Sequence, residues 1–354
     1  MSPNDSHLDD THRSAAIDVR KFGELIRGFA GQVADAARLA DHVRLPGERP
    51  RAVCLLGMGG SAVAGDLLRA LAEPVAPFPV HVVRGYTVPA WVGPDTLVVA
   101  SSYSGNTEET LAAFDAARRR TARLLVLSSG GELGARAQQE GLPWVRLPAG
   151  FPPRAALAFL LLPLVVQLER LGAGVGGVAE REEAVAVLTT LGAALAPEVS
   201  TAENAAKTLA LRLAGRVPAI YGSELTAPVA YRWRTQFEEN AKVLAVSGEL
   251  PEMNHNAIEA WGAGPEAAWA VILLRDFGEH PRVARRFALT REIVGARVPI
   301  HEVPARGEGR LARLLSLVLQ GDWTSYYVAL RRSVDPWAVD RLEAFKRRMA
   351  APDG

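Results

Sequence analysis

Apolar residues recur at helical spacing from Ile17 to about Val43, with Phe22, Ile26, Phe29, Val33 and Ala37 in phase, which predicts amphipathic helix there. Then the pattern changes. Short apolar runs at Ala52–Leu56, Val80–Val83, Thr96–Ala100, Leu124–Leu127 and Trp144–Leu147 alternate with helix-like stretches at Ser61–Ala72, Glu108–Arg119 and Glu132–Glu140. Strands without polar alternation are buried on both faces, so a parallel sheet wrapped by helices is expected. Phe151–Gly172 reads as a loop entering a buried helix. A long helical region, Gly177–Leu213, follows the glycine-rich kink or linker Gly172–Gly177. A second series repeats the plan, with strands at Pro218–Tyr221, Ala268–Leu274 and Val298–Val303. Val229–Val246 reads as mostly helix, and further helices fall at Arg282–Val294 and Leu311–Arg331. The expected fold class is α/β, with two doubly wound units, each a parallel sheet flanked by helices. Residues 1–18, polar and acidic, are expected to be a disordered leader. Residues 19–150 form the first unit with its preceding helix, 151–214 a helical connector, and 215–354 the second unit with C-terminal helices.

Composition narrows the functional classes. A chain of 354 residues suits two domains, and 49% hydrophobic with 22% charged residues is ordinary for a soluble globular protein. A net charge of +1 argues against a strongly basic nucleic-acid binder. The single cysteine, Cys54, excludes a disulfide framework and a multi-cysteine metal site, and its apolar strand predicts an inert buried thiol. Met1–Ala15 has no apolar core, so no signal peptide is expected. The greasiest run, Ala155–Leu168, is too short to span a membrane and contains Pro163. A cytoplasmic protein follows as the expectation. Of forty basic residues only Lys21, Lys207, Lys242 and Lys346 are lysine. A lysine retained among arginines invites a proton-moving role, because a guanidinium holds its proton.

Two strand-to-helix loops carry the candidate chemistry. Gly57-Met58-Gly59-Gly60-Ser61-Ala62 allows close backbone approach at a helix start, where free N–H groups and the helix dipole favour an anion. It also imitates a dinucleotide fingerprint. That fingerprint wants an acidic residue ending the next strand, where this chain has Arg84, so only an NADP version using Arg84 survives. Ser101-Ser102-Tyr103-Ser104-Gly105-Asn106-Thr107-Glu108-Glu109 follows the third strand, with Asn106 and Glu109 at capping-box spacing. The hydroxyls of Ser102, Ser104 and Thr107 around that helix start can hold a phosphate dianion without a cation, although the same residue types also serve simple turns.

These two loops resemble a sugar isomerase (SIS) domain. The later segments Arg232-Trp233-Arg234-Thr235-Gln236-Phe237-Glu238-Glu239-Asn240-Ala241-Lys242 and Pro251-Glu252-Met253-Asn254-His255-Asn256 narrow the resemblance. Together the motifs, from about Gly57 to Lys346, resemble the bifunctional phosphoglucose/phosphomannose isomerases, which carry two SIS domains and act as dimers. The resemblance implies an aldose–ketose isomerase acting on glucose 6-phosphate, fructose 6-phosphate and mannose 6-phosphate through a cis-enediolate. No metal or other cofactor, nucleic acid or membrane is implied.

The resemblance also implies roles. Gly60, Ser61, Ser102, Ser104 and Thr107 would hold the phosphate. Glu239 would be the base, and Arg154 would face the enediolate. Lys346 would assist ring opening by His255, contributed across a homodimer interface. Asn256 and Glu259 read as a helix cap with its box, placing His255 just outside a helix start, where the dipole keeps the ring neutral. Glu238 and Lys242, at i and i+4, are expected to form an ordinary surface pair. Trp233 and Phe237 should pack in the core, and Arg118–Arg120 should be a solvated helix end. In relatives a threonine near the C-terminal lysine goes with mannose handling; here Trp337 stands in that stretch, which weighs against the second substrate. Two rivals remain. A phosphosugar sensor needs the hydroxyl loop but not Glu239, His255 and Lys346, and usually carries a DNA-binding domain. An amide-donating synthase needs a catalytic cysteine, and Cys54 lies inside a strand.

Overall fold

A computed structural model of the chain describes residues 5–45, 48–261 and 268–349. The N-terminal part holds α1 (Thr11–Ile17), α2 (Phe22–Arg27) and α3 (Phe29–Leu39). The first sheet comprises β1 (Ala52–Leu56), β2 (Val80–Val83), β3 (Thr96–Ser101), β4 (Leu124–Ser128) and β5 (Trp144–Arg146). Between its strands lie α4 (Gly59–Ala72), α5 (Glu108–Arg118) and α6 (Gly131–Glu140). Three helices follow: α7 (Leu157–Arg170), α8 (Val178–Ala194) and α9 (Ala205–Arg212). The second sheet is built from β6 (Val217–Ser223), β7 (Val246–Leu250), β8 (Trp269–Arg275) and β9 (Ile300–Pro304). With it come α10 (Ala227–Asn240), the four-residue α11 (Ala257–Ala260) and α12 (Pro281–Gly295). The chain closes with α13 (Arg310–Arg331) and α14 (Asp340–Met349).

Both sheets are wholly parallel, as uninterrupted Val- and Leu-rich strands require. Their strand orders are β2-β1-β3-β4-β5 and β7-β6-β8-β9, so each reverses direction after its first strand. The fold is thus α/β with two doubly wound sheets. One apolar core joins them, running from Val53 and Leu55 on β1 through α4, α7 and α10 to α13. Every residue from Leu311 to Leu330 of α13 is buried, and so are Leu157–Leu168 of α7. A helix apolar on all sides, as α7 is, belongs inside a protein; α13 lies inside as well, with its buried polar residues Arg313 and Asp322 paired to other segments.

Three sequence expectations need correction. Residues from Asp5 onward are not disordered: Asp5–Leu8 forms a 3₁₀ turn, Leu8 is buried, and α1 follows. The polar residues that suggested disorder find buried partners. The Asp18 carboxylate accepts from Phe22 N (2.7 Å), Gly23 N (2.8 Å) and the Tyr326 hydroxyl (3.1 Å). Asp9 Oδ1 accepts from the fully buried Lys207 Nζ at 2.8 Å. Second, the stretch Val229–Val246 is mostly helix as expected, but the helix does not reach its end. It stops at Asn240, because Lys242 takes a left-handed turn (φ 53°) that redirects the chain into the unanticipated edge strand β7. Third, Glu238 does not pair with Lys242. Arg234 Nε lies 3.6 Å from Glu238 instead, while Lys242 Nζ donates to the carbonyls of Glu239 (3.0 Å), Asn240 (3.1 Å) and Asp335 (2.6 Å).

Candidate active site

In doubly wound sheets a ligand crevice opens at the carboxyl ends of the strands where the order reverses. In the first sheet that place lies between β1 and β3, with Leu56 paired to Ala100. The two candidate loops leave from these strand ends. A Cβ on Gly57 would stand 3.1 Å from both Ser101 O and Ser61 Cβ, so the backbones meet as closely as glycine permits. Neither α4 nor α5 receives a side-chain cap from its N-cap residue, Met58 or Thr107. Asn106 does not cap α5 as expected; its Oδ1 accepts from Glu132 N (2.8 Å), and the helix starts two residues later at Glu108. Two adjacent helix starts therefore direct uncapped amides toward one crevice.

Hydroxyls line it. Ser61 and Ser102 are buried, Thr107 is half-buried and Ser104 is exposed. Ser102 Oγ lies 2.8 Å from Thr107 Oγ1 and accepts from Gly105 N (3.1 Å), while Ser104 Oγ accepts from Asn106 N (3.2 Å). Gly105 turns left-handed (φ 72°), and any Cβ there would overlap Gly130 O. Tyr103 ties the loop to its neighbours: its hydroxyl donates to Pro148 O (2.8 Å) and accepts from Phe151 N (2.9 Å). Arg84, the residue a dinucleotide phosphate would need, is engaged by Asp66 and lies over the Tyr231 ring.

The Phe151–Arg154 segment reaches the first turn of α4, where a Cβ on Gly60 would stand 3.1 Å from Pro153 O. Arg154 is 4% exposed. Its Nε donates to Asn240 Oδ1 (2.7 Å), and Nη2 donates to Pro336 O (2.7 Å) and Trp337 O (3.0 Å). That leaves Nη1 facing Glu239 Oε2 at 3.5 Å. Burial lowers the Arg154 pKa and Glu239 opposes that shift; a guanidinium stays charged all the same. Behind it, Arg232 Nη2 bridges Arg154 O (3.1 Å) to both Asp322 oxygens (2.9 and 2.7 Å), and Gln236 donates to Asp322 as well (2.8 Å). Asn240 donates to Ser325 Oγ (2.9 Å). Lys242, pulled down to about 8 by burial and by nearby Arg154, fastens the end of α10 to the Asp335 carbonyl.

The structure thus joins Gly60, Ser61, Ser102, Ser104 and Thr107 to Arg154 and Glu239 through one short segment. It does not bring His255 or Lys346 to them. His255 is exposed at the end of a 3₁₀ turn, and α11 beyond it is too short to supply the expected dipole; Asn256 caps Ala257 N at 2.6 Å. Lys346 lies on the exposed α14. Among the described residues no hydrogen bond or ion pair links either to Glu239. Asn240, Arg232, Asp322 and Gln236 were missed as site residues. Arg232, Gln236 and Asn240 stood inside the segment that carried the resemblance, whereas Asp322 had only its polarity within an apolar stretch to mark it. Asp322 in particular stands in a helix buried from Leu311 to Leu330, where an acid needs a partner.

The second sheet has the same switch point, furnished differently. Thr226 Oγ1 donates to the Ser223 and Leu274 carbonyls (3.1 Å each), and near them lies the buried pair Arg313 Nε–Asp276 Oδ1 (2.7 Å).

Uncapped helix starts at one switch point, hydroxyl-lined, with a second sheet wound the same way, define an α/β protein of the SIS type. Residues 202–349 match the family described as the bacterial phospho-glucose isomerase C-terminal SIS domain. A bifunctional phosphoglucose/phosphomannose isomerase from Caldicellulosiruptor bescii is 37% identical over 306 residues, covering 84% of this chain and 89% of the relative. One from Thermoplasma acidophilum is 34% identical over 299 residues, with 84% and 89% covered. A solved structure of a glucose-6-phosphate isomerase like protein from Thermus thermophilus shares the fold at TM-score 0.62 and 24% identity, covering 96% of this chain and 98% of that one. The chain belongs to the bifunctional phosphoglucose/phosphomannose isomerase family, a family of sugar-phosphate isomerases. Among the described residues no helix is long and apolar enough to cross a membrane.

Proposed function

We propose that this chain interconverts glucose 6-phosphate and fructose 6-phosphate, and also accepts mannose 6-phosphate, by proton transfer through a cis-enediolate. The relatives' names suggest the substrates, and the crevice supplies a chemistry that fits them. The phosphate rests on the helix start at Gly60 and on the hydroxyls of Ser61, Ser102, Ser104 and Thr107. Glu239 removes the C2 proton of the open-chain aldose and returns it to C1, while the hydroxyl hydrogen passes from O2 to O1. Arg154 Nη1 steadies the oxyanion that forms between these steps. Ring opening falls to His255 of a second copy of the chain, assisted by Lys346. The exposure of both side chains is what a role completed by dimerisation requires.

The supporting observation is the Arg154 guanidinium, buried and fixed on three sides, with its remaining nitrogen 3.5 Å from Glu239 at the edge of the hydroxyl loops. A phosphosugar sensor has no use for a buried cation held against a half-exposed carboxylate. The test is a coupled assay on both aldose phosphates with Glu239→Gln. Turnover should fall about 10²–10⁴-fold while substrate affinity stays near that of the parent. Undiminished turnover would remove Glu239 as the base.

A further inference from the structure

Arg154 and Glu239 come from different segments, so the 3.5 Å between them depends on what ties those segments together. Arg154 Nη2 donates to the carbonyls of Pro336 (2.7 Å) and Trp337 (3.0 Å), in the loop that joins α13 to α14. Residues 334–339 of that loop form no helix or strand that would fix these carbonyls. Cations hold its Asp335 end. The exposed Arg20 reaches the Asp335 carboxylate at 2.7 Å, and the half-buried Lys242 donates through Nζ to the Asp335 carbonyl at 2.6 Å. The same ammonium donates to the carbonyls of Glu239 (3.0 Å) and Asn240 (3.1 Å). A ring of contacts closes: from the Glu239 backbone through Lys242 to Asp335, along the chain to Pro336 and Trp337, into Arg154, and back to the Glu239 carboxylate.

A helix end by itself asks for less. The last carbonyls of a helix lack intrahelical partners, and a lysine in the next turn can donate to them. That accounts for the bonds to Glu239 and Asn240 and for the left-handed turn at Lys242 (φ 53°). The bond to Asp335 spans 93 positions and lands on the residue just before the Arg154 acceptors. An ammonium has three N–H donors, so each carbonyl is matched to one of them. A neutral amine keeps two and leaves a carbonyl without its partner. Burial, and after it Arg154, pull the Lys242 ammonium down to about 8; Arg20 adds to this, while Asp335 and Asp340 oppose it. Arg216, Arg331 and Arg332 share the cavity beside Lys242.

We infer that Lys242 is a positioning residue for catalysis: its ammonium, through the Asp335 carbonyl, sets how the Arg154 guanidinium meets the Glu239 carboxylate, and so governs turnover rather than substrate binding. Lys242 has this role only if the chain is the isomerase proposed above. Below about pH 8 all three carbonyls have a donor. As pH rises through that point the proton leaves, one carbonyl loses its donor, and kcat should fall while KM holds.

Steady-state kinetics of the full-length protein on fructose 6-phosphate test it. Lys242→Met, which keeps most of the side chain's length and removes its donors, should lower kcat about 10–100-fold with KM near that of the parent. Lys242→Cys should lose as much. Alkylating that cysteine with 2-bromoethylamine rebuilds an ammonium of lysine length, and turnover should return. A cavity of about 300 Å³ opens on Lys242 and admits the reagent, while Cys54 is fully buried. Unchanged kcat in Lys242→Met, or a loss confined to KM, overturns the inference. So does an alkylated protein that regains its denaturation midpoint without its turnover. Should neither variant fold, the parent's own profile decides: kcat falling through about pH 8 with steady KM supports the role, and kcat level from about pH 7 to 10 overturns it. A parent with no turnover on fructose 6-phosphate or mannose 6-phosphate removes the isomerase reading and this role together. A parent that turns over beside an unaffected Lys242→Met removes only the role of Lys242.

Discussion

Arg154 shows how much one side chain can be asked to do when its neighbours are arranged around it. Three hydrogen bonds to Asn240, Pro336 and Trp337 use the planar fork of the guanidinium, which an ammonium cannot imitate. Arg154→Lys should therefore keep the charge and lose the aim. We expect kcat to fall about 10²–10³-fold, the scale of losing one oriented oxyanion donor, with little change in KM. Equal turnover in the lysine variant would mean that charge alone suffices. The lysines tell the complementary story. Lys207 and Lys242 each place one compact ammonium among three oxygens, an arrangement the wide guanidinium does not fit. Their scarcity suggested proton transfer; for these two the structure gives a packing reason instead. Cys54 matches its sequence reading: burial pushes its thiol up to about 12. Native protein at pH 8 should resist iodoacetamide, and labelling should appear only with denaturant; rapid native labelling would contradict the buried placement.

At the scale of elements, the close approach of α10 to α13 holds the proposed base and the acid behind it together. Trp233 on α10 donates to Leu317 O at 2.9 Å and packs against Gly321, where a Cβ would strike the indole. In an ordinary helix interior, glycine to alanine stabilises by about 0.5–1 kcal/mol. Here the sign should reverse: Gly321→Ala is expected to destabilise by about 1–3 kcal/mol through overpacking, read from the denaturation midpoint. A gain in stability would show that α10 and α13 have room to spare. The elements themselves were largely legible. Parallel strands announced themselves by unbroken Val and Leu, whereas β7, with Gly248 and Glu249 at a sheet edge, gave no such run, and only its first residue, Val246, fell inside the expected helix. The helix-ending turn at Lys242 left no Gly or Pro to mark it.

Across the whole molecule, the proposed ring-opening groups are far less enclosed than the proposed base. His255 and Lys346 lie on exposed segments, while Arg154 and Glu239 are braced from the core. If His255 serves the neighbouring subunit, two dead variants should rescue each other. Mixing Glu239→Gln with His255→Ala under conditions that exchange subunits should restore about a quarter of the parent activity, because half of the dimers are hybrids and each hybrid holds one intact site. Activity that stays at the level of the separate variants would place His255 in its own subunit's site or in none.

Local pattern decided the strands, the glycine-bearing loops and the hydroxyls at the first switch point, because each depends on residues close together in the chain. It could not decide that Asp9 and Asp18 would find buried partners some 200 and 300 positions later, or that Asp322 would sit behind Arg232. Nor could it say that Arg313 would meet Asp276 beside the second switch point while hydroxyls gather at the first. Ion pairs between distant segments exist only once packing has removed water from between them, and no reading of neighbouring residues contains that information.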